Sequence, residues 1–268
     1  DAYRDFYAGR SRLLLAFRHP TAHDPQVMVY LITRALPAAA RARREPLGGL
    51  PHVHFVYGRN VVLWHGGGAG FLIPRIEGVS VMNRRSDSQG MRALRRYLID
   101  GPYPMALAPE GQVTYHNHCL GPVEPGTAHL ALWCREELRR RGDAREIHIL
   151  PIAPLYRYAG EADRVLEGLT GRLAAQTGLE APAQGDWRQR LFELTGALLD
   201  KVEATYGRFH PLAAAAAAPA APAGLRERIE RVCDTALRVA ESFMGLPAEG
   251  DLLTRVFTVR QRGWDYLF

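Results

Sequence analysis

The residues with the most direct chemical use are His19 and Asp24, in the run Arg18-His19-Pro20-Thr21-Ala22-His23-Asp24-Pro25. A carboxylate bonded to one ring nitrogen fixes the histidine tautomer and stabilises the imidazolium. The other nitrogen can then take a proton from a hydroxyl as that hydroxyl attacks an acyl carbon. On one helix, a spacing of five would put the two residues on different faces. Pro20 instead keeps His19 off the helix, on the loop after a strand. Thr21 as N-cap and Asp24 in the first turn have capping-box spacing, so the chain can fold the carboxylate back to the imidazole. The spacing alone is weak: about one such match arises by chance in every two chains of this composition. A helix cap beside a surface histidine would read the same way.

Two further segments place reactive groups at strand ends. Ala106-Leu107-Ala108 closes in Pro109-Glu110-Gly111, where proline ends the strand and glycine allows an unusual backbone angle. A carboxylate there projects where α/β proteins place ligands; the plain alternative is a simple turn. Gly78-Val79-Ser80-Val81-Met82-Asn83-Arg84-Arg85 is a second apolar run, ending in two cations. Those arginines could receive a phosphate, or they are solvated charge.

Other chemistry-bearing residues fit no pattern. His52, His54, His65, His116, His118 and Cys119 match no standard zinc spacing. Gly66-Gly67-Gly68-Ala69-Gly70 lacks the Gly-Lys-Ser/Thr ending of a phosphate loop, so a turn is expected. Cys119, Cys134 and Cys233 form no CxxC pair, which predicts free buried thiols and a reducing compartment.

The elements that must position these groups alternate. A short helix feeds the apolar run 13–17, a buried strand, and a helix over about 25–36 should stop at Pro37. Apolar runs recur at 53–57, 61–64, 79–82, 105–108 and 147–152, with helical patterns at 89–99 and 127–141. This predicts an α/β core over 1–160: a mostly parallel mixed sheet flanked by helices. A helical C-terminal extension over 161–268 follows, with helices near 162–177, 187–206 and 225–244 and an Ala/Pro-rich linker at 211–224. In 225–244, residues Ile229, Val232, Cys233, Ala236, Val239, Ala240 and Phe243 keep helical spacing. That face either packs on a core or lies against lipid.

Composition bounds the rest. With 268 residues, 47% hydrophobic and 23% charged, the chain is globular rather than disordered. Its net charge of +6 is almost all arginine, since Lys201 is the only lysine. Arginine suits phosphate and anionic lipid, and also nucleic acid, so charge does not choose among them. No run of about 18 apolar residues is present, and the first residues carry no signal-peptide pattern.

In order and spacing, these segments resemble the phospholipid/glycerol acyltransferase family, which includes the 1-acylglycerol-3-phosphate acyltransferases. The family's Asn-His-x-Ser-x-x-Asp block corresponds to Arg18 through Asp24. Its Gly-x-x-Phe-Ile-x-Arg block corresponds to Gly78 through Arg84, and its Phe-Pro-Glu-Gly-Thr-Arg-Ser block to Ala108 through Thr114. A Gly-Ala segment corresponds to Gly126-Thr127-Ala128 and a Val-Pro strand to Leu150-Pro151.

The resemblance implies a glycerol-3-phosphate acyltransferase-like fold and a fatty acyl transfer to a lysoglycerophospholipid-type hydroxyl. Acyl-CoA or acyl carrier protein would be the donor. His19 would be the general base, Asp24 its orienting acid, Arg84 the acceptor's phosphate ligand, and Pro109, Glu110 and Gly111 the walls of the acceptor site. Pro151 would lie on the strand shaping the donor site. No metal or organic cofactor is implied, nor a nucleic-acid partner. The implied location is cytoplasmic, peripheral on the inner face of the membrane. Arg18 stands for the usual Asn and Thr21 for Ser. Val113 stands for an arginine that helps hold phosphate, and Glu124-Pro125 for a basic pair. Phosphate would then fall to Arg75, Arg84 or Arg85. The rivals are a thioesterase or lipid hydrolase using the same dyad on water, and a non-catalytic lipid-binding module at a membrane surface.

Overall fold

The computed structural model describes residues 1–59, 61, 66–82, 87–160, 162–179, 186–216 and 224–267 of the chain. They fall into two units, Asp1–Tyr156 and Arg157–Phe268.

The first unit is built on five strands: β1 (Ser11–Phe17), β2 (His54–Gly58), β3 (Val79–Val81), β4 (Met105–Leu107) and β5 (Glu146–Ile152). Their order is β3-β2-β4-β1-β5, and every pairing among the described residues is parallel. The sequence suggested a mostly parallel, mixed sheet. The described strands run one way because a helix carries each connection back to the starting edge. These helices are α2 (Asp24–Tyr30) with α3 (Leu36–Ala42), α4 (Gly66–Arg75), α5 (Ser88–Asp100) and α6 (Gly126–Arg140). A short α1 (Ala2–Tyr7) precedes β1.

Helices on both faces explain why β1 reads as an unbroken apolar run rather than an alternating one. Leu14 points to a core with Met105, Leu94, Leu98, Leu130 and Cys134. Leu13, Leu15 and Phe17 point to the opposite core with Phe6, Met28, Ile32 and Ala106. The period-two alternation of a strand thus feeds two apolar layers.

Other expectations change as well. The helix after His19 does not stop at Pro37. It passes through a π-turn, Leu31–Ala35, in which the Leu36 N–H bonds the Leu31 carbonyl, and continues to Ala42. The wider turn redirects the carbonyl ladder just before the residue that lacks an N–H. The glycine run begins α4 rather than forming a turn. Of the run 61–64, only Val61 is among the described residues, and it is helical. Cys134 is the only buried thiol of the three; Cys119 and Cys233 are exposed.

The second unit is helical: α7 (Ala162–Thr177), α8 (Trp187–Phe209), α9 (Pro211–Ala216), α10 (Leu225–Met244) and α11 (Leu252–Leu267). Helix α9 begins within the segment read as a linker, and α11 was not anticipated. In α10 the buried residues are Thr235, Leu237 and Glu241, whereas Ile229, Cys233 and Phe243 of the apolar pattern are exposed. Ion pairing sets that choice. Arg255 of α11 bonds both Glu241 oxygens at 2.7 and 2.8 Å and also meets Asp234 at 2.5 Å, turning the charged flank of α10 inward. Among the described residues, no helix is long and apolar enough to cross a membrane.

Candidate active site

β1 and β4 are neighbours, with Ala16 opposite Leu107, so the loops that follow them emerge side by side at one edge of the sheet. His19 lies on the first loop. Its Nδ1 is 2.9 Å from Asp24 Oδ2, and the Asp24 side chain is fully buried. Bonding a carboxylate requires the proton on Nδ1, which leaves the lone pair of the neutral ring on Nε2. The His19 side chain is 18% exposed, so the ring is partly open to solvent.

The turn that brings the pair together departs from the expected cap. The helix starts at Asp24 with His23 as its N-cap residue. The reach-back half of the capping box forms, since the Thr21 N–H donates to Asp24 Oδ2 at 2.7 Å. The Thr21 hydroxyl instead accepts from the His23 N–H at 3.0 Å, a local turn of the kind threonine favours. Asp24 Oδ2 therefore serves both the loop backbone and the imidazole.

The second loop is a tight turn in which the Gly111 N–H bonds the Ala108 carbonyl at 3.1 Å. Pro109 presets its first corner. Gly111 has φ +70°, a conformation that carries little cost only for glycine. Glu110 is 1% exposed and points inward. Its Oε2 accepts from the His19 N–H at 2.7 Å and its Oε1 from the Gly121 N–H at 3.1 Å. The Arg18 Nε lies 3.9 Å from Oε1. Glu110, expected as a wall of an acceptor site, here bonds the main chain of His19. The return bond is Thr114 N–H to the His19 carbonyl, 2.9 Å.

Three residues given no role at the site from sequence complete the centre. The Tyr156 phenol donates to Asp24 Oδ1. Burial first, and then this bond to a carboxylate, raise the phenol's pKa above its ordinary value, so it stays a donor. Asn117 grips the Tyr156 main chain both ways: Nδ2 donates to the carbonyl at 2.6 Å, and Oδ1 accepts from the N–H at 2.8 Å. The Arg18 guanidinium donates to the carbonyls of His116 at 2.9 Å and Asn117 at 3.2 Å, and also to that of Cys119. Tyr156 is 132 residues from Asp24, so no local pattern could have pointed to it.

The other predicted residues have other contacts or lie outside the described residues. Arg75 is used within α4: its guanidinium sits 3.6 Å from the centroid of the Phe71 ring and bonds the Phe71 carbonyl at 2.7 Å. Arg84 and Arg85 lie outside the described residues. Just beyond them, Asp87 caps α5. Its carboxylate accepts from the Gly90 and Met82 amides and meets Arg59 at 3.0 Å. The Gly90 amide bond first, and then the others, hold its pKa below the usual carboxylate range. Pro151 sits on β5 opposite Ala16, on an edge strand where a missing N–H is tolerated. His54 is fully buried between Tyr97 and Tyr103, away from His116 and His118. His65 is outside the described residues, and no metal-binding group of three His, Cys, Asp or Glu converges among those described. No family model matches the chain, and neither a curated protein nor a solved structure matches it.

Proposed function

We propose that this chain is an O-acyltransferase of the phospholipid/glycerol acyltransferase type, with the glycerol-3-phosphate acyltransferase-like fold that its motif order implies. The observation that carries the reading is the 2.9 Å bond between His19 Nδ1 and a buried Asp24, on a loop held by Glu110. In the proposed reaction His19 Nε2 takes the proton of an acceptor hydroxyl while its oxygen attacks the thioester carbonyl carbon. The carbon–sulfur bond of the tetrahedral adduct then breaks. The imidazolium returns the proton to the leaving thiolate, and ester and thiol depart. Asp24 supports the imidazolium at each stage.

A lipid-like acceptor fits the surroundings. The helix that starts at Asp24 exposes Val27 and Tyr30, and the loop that holds Asn117 exposes Tyr115 and Leu120. Apolar side chains exposed beside a polar centre favour an acyl chain or a bilayer surface. The donor is acyl-CoA or acyl carrier protein, the acceptor a lysoglycerophospholipid-type alcohol, and the place of action the inner face of a membrane.

The test is consumption of palmitoyl-CoA by the purified chain, with lysophosphatidic acid, lysophospholipids and non-phosphate alcohols offered in turn. The expected product is the acylated acceptor, and His19→Ala should lower turnover at least a thousandfold while leaving the melting curve in place. Free fatty acid as the sole product would move the reading to a thioesterase, and wild-type turnover in His19→Ala would end it.

A further inference from the structure

The polar groups around His19 form a chain of contacts that begins and ends beside it. Arg18, which stands where the family has asparagine, gathers the carbonyls of residues 116, 117 and 119. That fixes the loop carrying Asn117, which in turn holds Tyr156 by both main-chain polar groups. Tyr156 reaches Asp24 Oδ1, the oxygen that His19 and Thr21 leave unused.

Asp24 is fully buried, and an oxygen of a buried carboxylate without a donor is costly. The terminal torsion of an aspartate is soft, so a carboxylate held by one oxygen can swing. Oδ2 carries the whole link to the imidazole, and such a swing would break it.

The geometry points to Tyr156 as a positioning residue for the base: its phenol pins the Asp24 carboxylate, and Asn117, set by Arg18, holds Tyr156 in place. The inference rests on the acyl-transfer reading only in calling His19 the base. The arrangement itself is a statement about His19 and Asp24. Tyr156 touches no reacting atom. Its effect should fall on the imidazolium-forming transition state and not on substrate binding, so kcat drops while KM stays.

The experiment uses the full chain in three forms: wild type, Tyr156→Phe and Asn117→Ala. Turnover is measured with palmitoyl-CoA and lysophosphatidic acid. In parallel, the His19 ring is followed by nitrogen-15 NMR, assigned with His19→Gln. Tyr156→Phe removes one oxygen and should lower kcat about ten- to a hundredfold, the worth of a hydrogen bond to a charged group, with KM within about twofold. The His19 signals should move from a single Nδ1–H tautomer toward a mixture. Asn117→Ala should shift both readings the same way by less. Wild-type kcat and tautomer in Tyr156→Phe overturn the inference. So does a fall in kcat with an unchanged tautomer, and so does wild-type behaviour of Asn117→Ala for the buttress. If the wild type turns over no thioester, the acyl-transfer reading fails, and the NMR comparison still decides the role of Tyr156.

Discussion

Glu110→Gln should lower the stability of the chain by about 3 kcal/mol, even though the substitution changes only one atom. The carboxylate is 1% exposed and meets two main-chain donors, the His19 amide at 2.7 Å and the Gly121 amide at 3.1 Å. A glutamine can accept from one of them. Its NH2 then faces the other, leaving a buried N–H without an acceptor and two donors in opposition. Losing a hydrogen bond to a charged group in this way costs about 1.5–3 kcal/mol. The substitution also removes the negative charge facing Arg18, whose side chain is 14% exposed. At 3.9 Å the direct attraction is about 4 kcal/mol at an effective dielectric near 20, and the three carbonyls that Arg18 keeps offset most of its loss, leaving about 1 kcal/mol. For a unit of this size, 3 kcal/mol corresponds to a fall in melting temperature of about 6–12 °C. Thermal unfolding followed by circular dichroism, together with a urea midpoint at neutral pH, measures it. Turnover should fall as well, because the same carboxylate holds the main chain of His19. A Glu110→Gln protein melting within about 2 °C of wild type would show that Glu110 does not clamp the loop, and would return it to the role of a substrate contact.

Two more outcomes follow from single residues. Burial holds the His54 pKa below its ordinary 6.5, so the folded chain keeps a neutral ring where the unfolded chain takes up a proton. Stability should therefore be present at neutral pH and be lost as pH falls below about 6.5. His54→Gln should flatten that slope in urea midpoints measured from about pH 7.5 to 5.5, and an unchanged slope would count against it. Gly111→Ala meets only the Glu124 Cγ, at an ordinary 3.5 Å, so its cost lies in the backbone at φ +70°. About 1–2 kcal/mol is expected, read as a fall of a few degrees in melting temperature; an unshifted midpoint would refute it.

Much of the α/β core was legible because its signals are local. Strands covered by helices on both faces read as apolar runs, as β1 and β4 do, and all of β1, β4 and the mostly exposed β5 lie inside the runs marked from sequence or within two residues of them. The turns were legible for the same reason: Pro20 and Pro109 set backbone angles within their own residues, and Gly111 marks a left-handed position. The course of the chain past Pro37 was not legible, since proline punctuates a helix only when the preceding turn is a regular one. Here a π-turn removes the conflict. The glycine run was misread because glycine disfavours a helix without forbidding it.

The candidate site divides along the same line. By itself the sequence marked His19 and Asp24 as candidates for a pair, for one reversal of the chain within six residues decides whether they meet, and the structure closes it at 2.9 Å. It also determined that Glu110 closes a strand. What Glu110 and Arg18 do there was settled only by tertiary structure, and so was the arrival of Tyr156 on the far oxygen of Asp24. Those contacts join residues 91, 98 and 132 positions apart. The donor that satisfies a buried carboxylate is whichever strand end the sheet order brings beside it. With β4 and β5 flanking β1, the loops after all three strands meet at one edge, and that order is a property of the packed sheet.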